Sequence, residues 1–383
     1  MKLLHFSDIH IGMENYSRLD PETGLSTRLL DFLNTFDFIV DTAISEKVDA
    51  VIFAGDAYKT RDPNPTQQRG FGQRIKKIAK AGIPVILVAG NHDTPNANGK
   101  ANTLDIYSAL EIDNVTVSRK PELLEIPTKS GNLQIVTLPW LHKNDYKTIA
   151  EKLKLLYDKI SPDSPAIFLS HCEVEGASYG SEKGMAIAND VTIPLPLLQN
   201  RRLSYAALGH IHKHQVLGND PLIVYSGSPH RIDFGEEKED KGICLVNIDG
   251  KKASFKFIST GCRQFLSIDI NLEESDENPT QTVLDEISKY DISEKIVRVT
   301  INIPANLGLD LQIDKIKRAL SPANFIAGIA RNTERSRRLK IDGQEEVERL
   351  TPPQALQKYF EAKKYTTARI KELEKLAAQI LES

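Results

Sequence analysis

Cysteine is scarce in this chain of 383 residues, which contains only Cys172, Cys244 and Cys262. The three lie far apart, so the sequence predicts neither a disulfide framework nor a structural zinc site built from thiolates. Scarce cysteine without a disulfide pattern is typical of a reducing compartment, and a cytoplasmic setting is the simplest interpretation.

Long apolar runs are also lacking. No stretch approaches the roughly 18 apolar residues that a membrane span needs, and the first eight residues turn polar too soon for a signal peptide. We therefore expect no membrane partner. A length of 383 residues predicts two or three domains, since single cores stop growing at about 250–300 residues.

Net positive charge is lacking as well, because the formal net charge is −3. This net charge does not by itself indicate a nucleic-acid partner and argues only mildly against one, because a local basic face can bind phosphates. Residues 315–340 hold such a local excess, with eight Lys and Arg residues against one acid, Glu334. This stretch is either a solvated connector between domains or a segment that contacts DNA.

Strand and helix patterns alternate in the first half of the chain. Residues 3–6, 49–54 and 83–89 are near-continuous apolar runs, and residues 26–47 and 66–81 between them have helical spacing. This alternation indicates an α/β fold in which helices cover both faces of a sheet. Later strand patterns at hairpin-like intervals predict a second sheet packed on the first: residues 133–138, 166–170, 205–208, 222–225, 242–248 and 255–258.

The pattern changes after residue 260. A small α+β unit follows, with strands predicted at 265–270, 296–303 and 324–330 and helices at 280–289 and 311–320. We expect a first domain over residues 1–260, a small domain over 261–332, a linker over 333–350 and a helical tail over 351–383. Proline in the first turn at Thr351-Pro-Pro-Gln marks the start of the tail. Its two amphipathic helices either pack on their own domain or dock on a partner.

Residue types that bind metals follow five of the predicted strands. These segments are Asp8-Ile-His10, Gly55-Asp56, Gly90-Asn91-His92-Asp93, Ser170-His171 and Gly209-His210-Ile-His212. In open α/β sheets ligands gather at the carboxyl ends of strands, so we predict that the five loops converge on one pocket. Each motif alone is weak, and a lone Asp-x-His is usually accidental. Together they predict a metal site.

The ligand types indicate which chemistry the site performs. Asp, Asn and His without cysteine suit ions such as Mn²⁺, Fe²⁺ or Zn²⁺. A carboxylate such as that of Asp56 can bridge two cations about 3.5–4 Å apart, as in two-metal phosphoester sites. Alternate residues of an extended segment point the same way, so both histidines of His210-Ile-His212 can reach one cluster. The sequence therefore predicts a two-metal phosphoesterase.

Together these motifs resemble those of the calcineurin-like metallophosphoesterases. Further segments make the chain similar to the SbcD-type nuclease branch of that family, which is related to the eukaryotic and archaeal meiotic-recombination nuclease. They are residues 4–12, 171–177, Tyr225-Ser-Gly-Ser-Pro, Phe234-Gly-Glu and the Pro-x-x-x-Leu-x-x-Tyr-Phe motif at 352–360. The resemblance implies a four-layer α/β/β/α sandwich with a small α+β capping domain and a helical C-terminal tail.

The resemblance also implies roles for individual residues. Two divalent ions, Mn²⁺ by this comparison, would be held by seven ligands: one ion by Asp8, His10, Asp56 and His212, the other by Asp56, Asn91, His171 and His210. His92 would face the scissile phosphate, where a histidine can stabilise charge or protonate the leaving oxygen near neutral pH. The alternative for His92 is a structural role beside the ligands.

Substrate contacts are less defined in the sequence. Some relatives place a histidine where this chain has Lys59. Lysine binds phosphate as a point charge, but its ordinary pKa of about 10.4 makes it a poor proton shuttle. Lys59 is therefore either a phosphate contact or a solvated loop residue. Arg61 and Asp93 are the other candidate substrate contacts.

The resemblance implies a DNA nuclease of double-strand break repair, with 3′–5′ exonuclease activity on double strands and endonuclease activity on single strands. It further implies a homodimer, an SbcC-type coiled-coil ABC ATPase bound to the tail, and action in the cytoplasm at the nucleoid. A phosphomonoesterase or small-molecule phosphodiesterase on the same fold remains an alternative, as does a non-catalytic DNA-repair scaffold. The modules after residue 260 favour DNA over small esters, and the complete ligand set favours an enzyme over a scaffold.

Overall fold

The computed structural model describes residues 1–95, 100–142, 148–180, 191–304, 311–333, 360, 369–371 and 373. These residues form two large mixed sheets, two smaller sheets and flanking helices, which confirms the predicted α/β class. No helix in the described ranges is both long and apolar enough to cross a bilayer.

The first large sheet has six strands, which lie in the spatial order β14 (Lys252–Ser259), β13 (Gly242–Asp249), β1 (Lys2–Phe6), β2 (Ala50–Phe53), β3 (Val85–Val88) and β4 (Val115–Ser118). The strands β1 to β4 pair in parallel. The strands β13 and β14 form an antiparallel hairpin, and β13 pairs with β1 with Leu3 opposite Val246. The prediction that residues 242–248 and 255–258 belong to the second sheet is therefore wrong. Apolar periodicity marks a strand but does not identify its partner.

The second large sheet also has six strands, in the order β11 (Gln215–Asn219), β12 (Leu222–Tyr225), β10 (Tyr205–Gly209), β7 (Ala166–His171), β6 (Gly131–Leu138) and β5 (Glu122–Thr128). Its four central strands pair in parallel. The predicted hairpin arrangement holds only at the two edges, where β11 and β5 pair antiparallel. The two short strands β8 (Glu173–Val174) and β9 (Thr192–Ile193) pair beside it.

The two long helices confirm the predictions at 26–47 and 66–81. Helix α1 (Thr27–Ser45) begins at Ser26, whose side chain accepts a hydrogen bond from a backbone N–H of the first turn. Helix α2 (Pro65–Lys80) begins with a capping box between Asn64 and Gln67. The chain also forms elements that the sequence did not predict: β4, β5, β8, β9, β11, α3 (Asp105–Ala109) and α4 (Ile149–Asp158).

Three hydrophobic clusters separate the layers. Successive residues of a strand point to opposite faces of its sheet, so Phe53 packs toward α1 and α2 while Ile52 packs between the two sheets. In β7, Ile167 joins the same cluster between the sheets, and Phe168 packs on the outer side with α4. The order of layers is therefore helix, sheet, sheet, helix, and parallel strands from both sheets end beside each other.

A third sheet contains β15 (Phe265–Asn271), β16 (Ile296–Ile303) and β17 (Phe325–Thr333), in that order. Helices α5 (Pro279–Ser288) and α6 (Ile313–Ala319) accompany it, and these elements match the predicted α+β pattern.

Residue contacts divide the described chain into two compact units. The first comprises Met1–Ile268, Tyr290–Arg298 and Leu320–Gly328, and the second comprises the described residues of Asp269–Lys289, Val299–Ala319 and those from Ile329 onward. The predicted domain limits stay a prediction. Residues 334–350 of the predicted linker, and nearly all of the predicted tail from 351 to 383, lie outside the described residues.

Candidate metal centre

Five loops meet where the parallel strands of both sheets end. Three follow β1, β2 and β3 of the first sheet, and two follow β7 and β10 of the second. The backbone N–H of Asp8 donates to the carbonyl of Gly55 at 2.9 Å, which holds the first loop against the second. The second sheet is joined to them by His171, whose Nδ1 lies 2.7 Å from the carbonyl oxygen of Ala54, and by the N–H of His210, 3.1 Å from a carboxylate oxygen of Asp8. The loops therefore form one site.

The backbone of these loops is strained. Asp8, His10, Asp56 and His210 all have positive φ angles, of 52°, 51°, 60° and 100°. For a residue other than glycine, this left-handed region costs about 1–2 kcal/mol, and such strain clusters at functional sites. Gly90 is required for a different reason, namely space: a Cβ there would lie 2.6 Å from the backbone nitrogen of Asp56. Close packing of the loops thus depends on a residue without a side chain.

The donor atoms converge around the Asp56 carboxylate. Its Oδ2 lies 3.6 Å from Nε2 of His10 and 3.4 Å from Nε2 of His171. On one side, Nε2 of His10 lies 3.0 Å from Nε2 of His212. One oxygen therefore lies near imidazole nitrogens from both sheets, as a carboxylate that bridges two cations would.

Asn91 organises the other side of Asp56. Its amide oxygen lies 3.0 Å from Nε2 of His171 and 3.2 Å from Nδ1 of His210. Opposite it, Asp8, His10 and His212 can place one donor atom each within 4.8 Å of one another. All seven predicted ligands are thus brought together.

The donor set fits two divalent cations. It contains two carboxylates, one amide oxygen and four imidazoles, and these are ligands of borderline-hard divalent ions. The paired imidazole nitrogens of His10 and His212, 3.0 Å apart and buried, need a proton or a cation between them. The division of the ligands between two ions stays a prediction.

Neighbouring carboxylates raise the pKa of two of the four histidines, His171 and His212. Burial alone would lower the pKa of His171, but the charge and hydrogen bond of Asp56, together with the charge of Asp8, outweigh burial and raise that pKa to about 9. Burial likewise opposes the charged form of His212, but its hydrogen bond with Glu236 raises its pKa to about 9. For His210, burial and the charge of His171 lower the pKa to about 3. Burial also lowers the pKa of His10 well below its usual value.

We expect cation binding to release protons. Below about pH 9 the metal-free site holds protons on His171 and His212, and a metal ligand must be deprotonated. Affinity for a divalent cation should therefore rise with pH up to about 9 and fall as the solution is acidified. Calorimetric titration of Mn²⁺ at pH 7, in buffers that differ in ionisation enthalpy, should detect about two protons released. Binding that is independent of pH between 6 and 9 would contradict this prediction.

His92, in the loop after β3, is held at the rim of the cluster by the loop after β2. Its backbone N–H donates to Oδ1 of Asp56 at 2.9 Å, and its Nδ1 lies 2.6 Å from the carbonyl oxygen of Lys59. A carbonyl can only accept, so Nδ1 carries the proton of the neutral ring and Nε2 is left for chemistry.

Lys59 thus contributes its backbone to the site, and its side-chain role stays a prediction. Arg61 links two loops, since its Nε donates to the carbonyl of Thr94 at 2.6 Å.

Asp93 has a different role from the predicted substrate contact. Its side chain is fully buried. Its oxygens accept hydrogen bonds from the N–H groups of Asp56, Ala57 and Gly90 at 2.8, 3.1 and 2.9 Å, and from the hydroxyl of Thr103 at 3.2 Å. A carboxylate with its oxygens occupied in this way positions the loops after β2 and β3 and does not face a substrate.

Replacing Asp93 with asparagine should destabilise the fold. An asparagine would turn an N–H₂ group toward backbone N–H donors, and an unsatisfied buried donor costs about 1–3 kcal/mol, or more near a charge. We expect the free energy of unfolding of the metal-free protein to fall by about 2–4 kcal/mol, measured by chemical denaturation. Asp62→Asn, at an exposed position of the loop after β2, is the control and should change little. Equal stability of the two variants would contradict this role.

Sequence reasoning missed the partner of His212. Nδ1 of His212 lies 2.8 Å from Oε1 of Glu236, a glutamate with no exposed surface. Burial would raise the pKa of Glu236, but its hydrogen bond with His212 and the charge of Lys241 hold that pKa at about 2. The Phe234-Gly-Glu segment contributed to the resemblance without a role for its glutamate. Glu236 belongs to an acidic run with Glu237, Glu239 and Asp240, and nothing in the sequence marks it as the buried member.

Comparisons with known proteins agree with this geometry. A family model described as calcineurin-like phosphoesterase matches residues 1–214. The chain is 28% identical over 277 residues to the DNA double-strand break repair protein Mre11 of Sulfurisphaera tokodaii, covering 70% of this chain and 65% of that protein. It is 26% identical over 280 residues to the SbcD component of the nuclease SbcCD of Bacillus subtilis, covering 67% and 68% of the two chains. It is 25% identical over 347 residues to the Escherichia coli component of the same name, covering 80% and 84%. The chain thus spans slightly less than two thirds of the length of the Sulfurisphaera protein.

Proposed function

Because the chain belongs to the calcineurin-like phosphoesterase family, we propose that it is a two-metal nuclease that hydrolyses DNA. The observation that carries the proposal is the position of Asp56, whose Oδ2 lies 3.6 Å from Nε2 of His10 and 3.4 Å from Nε2 of His171. Relatives named as a double-strand break repair protein and as part of a nuclease support DNA as the substrate.

We assign two ion positions to the seven ligands. The first would be held by Asp8, His10, Asp56 and His212, and the second by Asp56, Asn91, His171 and His210. Two divalent cations lower the pKa of water and stabilise the charge that develops on phosphate oxygens. Mn²⁺ is the ion that we propose.

The charge of the proposed ligands suits an anionic substrate. Asp8 and Asp56 are the only carboxylates among the seven, so they balance about half of the charge of two divalent cations. The remaining positive charge would attract a phosphodiester and hold it against the site.

His92 would act on the leaving group. Its bond to the Lys59 carbonyl fixes the ring with Nε2 available. When Nε2 carries a proton, it can donate that proton to the oxygen that leaves phosphorus, which is general acid catalysis. The backbone bond to Asp56 keeps the ring close to the bridging carboxylate. His92 is thus a catalytic residue that touches the substrate without binding a metal.

The finer parts of the proposal concern the complex. We propose 3′–5′ exonuclease activity on double strands, endonuclease activity on single strands, a homodimer, and an SbcC-type ATPase partner bound to the tail at 351–383. Action on chromosomal DNA would place the protein in the cytoplasm at the nucleoid. The relatives' names support a nuclease complex, and the α+β elements from β15 to β17 provide structure beyond what hydrolysis of a small ester requires.

An assay of the purified chain tests the substrate. Duplex DNA, single-stranded DNA and a chromogenic phosphodiester are incubated with Mn²⁺, with Mg²⁺ or with a chelator, and Asp56→Ala is the inactive control. We expect cleavage of DNA that depends on Mn²⁺. Cleavage of the small ester alone would favour a small-molecule phosphodiesterase on the same fold, and binding of DNA without any cleavage would favour a scaffold.

The partner proposal is tested with a chain that ends at residue 340. We expect this shortened protein to cleave the chromogenic ester like the full chain and to lose binding to an SbcC-type ATPase. Undiminished binding would exclude the tail as the docking segment.

A further inference from the structure

A buried ion cluster lies behind His212, on the side away from the bridging carboxylate. Its members are Glu236, which has no exposed surface, and Lys241, which is 2% exposed. Nζ of Lys241 lies 3.1 Å from Oε2 of Glu236. Burying a charged pair is costly and rarely adds net stability, so its presence needs another explanation.

Three donors converge on the two carboxylate oxygens of Glu236. Oε1 accepts from Nδ1 of His212 at 2.8 Å. Oε2 accepts from the backbone N–H of Ile232 at 2.8 Å and forms an ion pair with Nζ of Lys241. A glutamine could not satisfy this arrangement, since it has a single acceptor oxygen and its amide nitrogen would face another donor.

Lys241 holds both the side chain and the backbone of the histidine segment. Its Nζ donates to the carbonyl oxygen of His212 at 3.2 Å, and it binds Glu236, which in turn binds the imidazole. Further bonds to Ser228 Oγ at 2.9 Å and Glu239 Oε2 at 2.8 Å fix the ammonium group. The lysine is therefore part of the support for His212 and is not directed at a phosphate.

Aromatic packing makes the Glu236 segment rigid. Glu236 ends a short 3₁₀ helix, Phe234–Glu236. Within the same unit, the ring of Phe234 packs edge-to-face on Phe265 with centroids 4.9 Å apart, and the guanidinium of Arg298 lies 4.3 Å from its centroid. A carboxylate anchored in this way can impose a fixed orientation on the imidazole that it contacts.

The two proposed ion positions differ in this support. His212, at the first position, is backed by a carboxylate, whereas Nδ1 of His171, at the second, is backed by the carbonyl of Ala54. A carboxylate behind a ligating histidine fixes its tautomer and raises its basicity as a ligand.

We infer that Glu236, fixed by Lys241, is a positioning residue that sets the affinity of the first ion position through His212. The inference rests on the metal-binding part of the proposed function. It assigns Nδ1–H to the bond with Glu236 and Nε2 to the cation, and it makes the two positions respond differently to one substitution.

Titration of Mn²⁺ into the metal-free full chain tests the inference. We expect Glu236→Gln to weaken one of two binding events by about 10–100-fold and to leave the other unchanged. Cleavage should recover when Mn²⁺ is raised, so the variant should differ in the Mn²⁺ concentration that it needs rather than in its maximal rate.

Asp240→Asn is the matched control. Asp240 is an exposed acid of the same segment and its replacement also removes one negative charge, whereas Nδ1 of His212 bonds to Glu236. We expect both binding events to stay unchanged in this variant. If Glu236→Gln weakened both events equally, or only lowered the melting temperature of the metal-free protein, the inference would be overturned.

A second measurement observes the tautomer of His212 in the wild-type protein. In wild-type protein loaded with diamagnetic Zn²⁺, ¹⁵N spectra of the histidine rings should show His212 protonated at Nδ1 and bound to metal through Nε2. The His212 signals are assigned by their loss in His212→Asn. Metal bound through Nδ1 would overturn the inference. Neither measurement uses DNA, so selective weakening of one ion without nuclease activity would reject the proposed substrate and leave the inference standing.

Discussion

Replacing Asp56 with asparagine is expected to abolish DNA cleavage, with kcat/KM lowered by at least about 1,000-fold. Oδ2 of Asp56 lies within 3.6 Å of Nε2 of both His10 and His171. A neutral amide would remove the negative charge that both ion positions share and could turn its nitrogen toward one of them. Loss of several kcal/mol of charge stabilisation corresponds to this fall in rate.

Counting the bound ions distinguishes loss of the metal site in Asp56→Asn from misfolding of the variant. Calorimetry with Mn²⁺ should give two ions for the wild-type protein and fewer for Asp56→Asn, while far-UV circular dichroism stays the same. Asp62→Asn changes the same residue type at an exposed position nearby and should retain both ions and full cleavage. An Asp56→Asn protein that still bound two ions and cut DNA would remove the basis of the proposed function.

His92→Gln should lower kcat on DNA by about 100- to 10,000-fold while both ions remain bound, because His92 is assigned to proton transfer and not to coordination. The two effects are measured separately, by single-turnover cleavage and by Mn²⁺ titration. A substrate whose leaving group needs no proton tests the assignment of His92 to proton transfer directly. On a nitrophenyl phosphodiester the same variant should lose much less activity than on DNA.

The comparison of the two substrates decides between roles for His92. Equal losses on DNA and on the nitrophenyl ester would indicate that the ring stabilises charge on phosphorus or holds Asp56 through the backbone bond. Full activity on DNA with metal present would show that the assignment to catalysis is wrong.

The buried parallel strands and long helices could be predicted from the sequence because their signals are local. Ser26 caps α1, and apolar spacing marks α1, β2 and β3. The placement of β13 could not be predicted. Its sequence is that of a buried strand, but its pairing with β1 joins segments that are far apart in the chain, and periodicity carries no information about a partner.

The candidate ligands could be predicted because Asp, Asn and His at strand ends are rare enough to be recognised together. The groups behind them could not. Asp93 lies next to His92 in sequence, yet its contacts are with backbone N–H groups of two loops. Glu236 is distant from His212 in sequence and reaches it only in the folded chain. Hydrogen-bond partners of this kind depend on burial and orientation, which no motif records.

The left-handed backbone at Asp8, His10, Asp56 and His210 also bears on how such a site persists in evolution. Glycine would adopt these angles at little cost, so stability alone would favour glycine at these positions by about 1 kcal/mol or more each. All four residues are proposed metal ligands, so a glycine that relieved the strain would also remove a ligand. Stability and metal binding therefore make opposite demands on these positions.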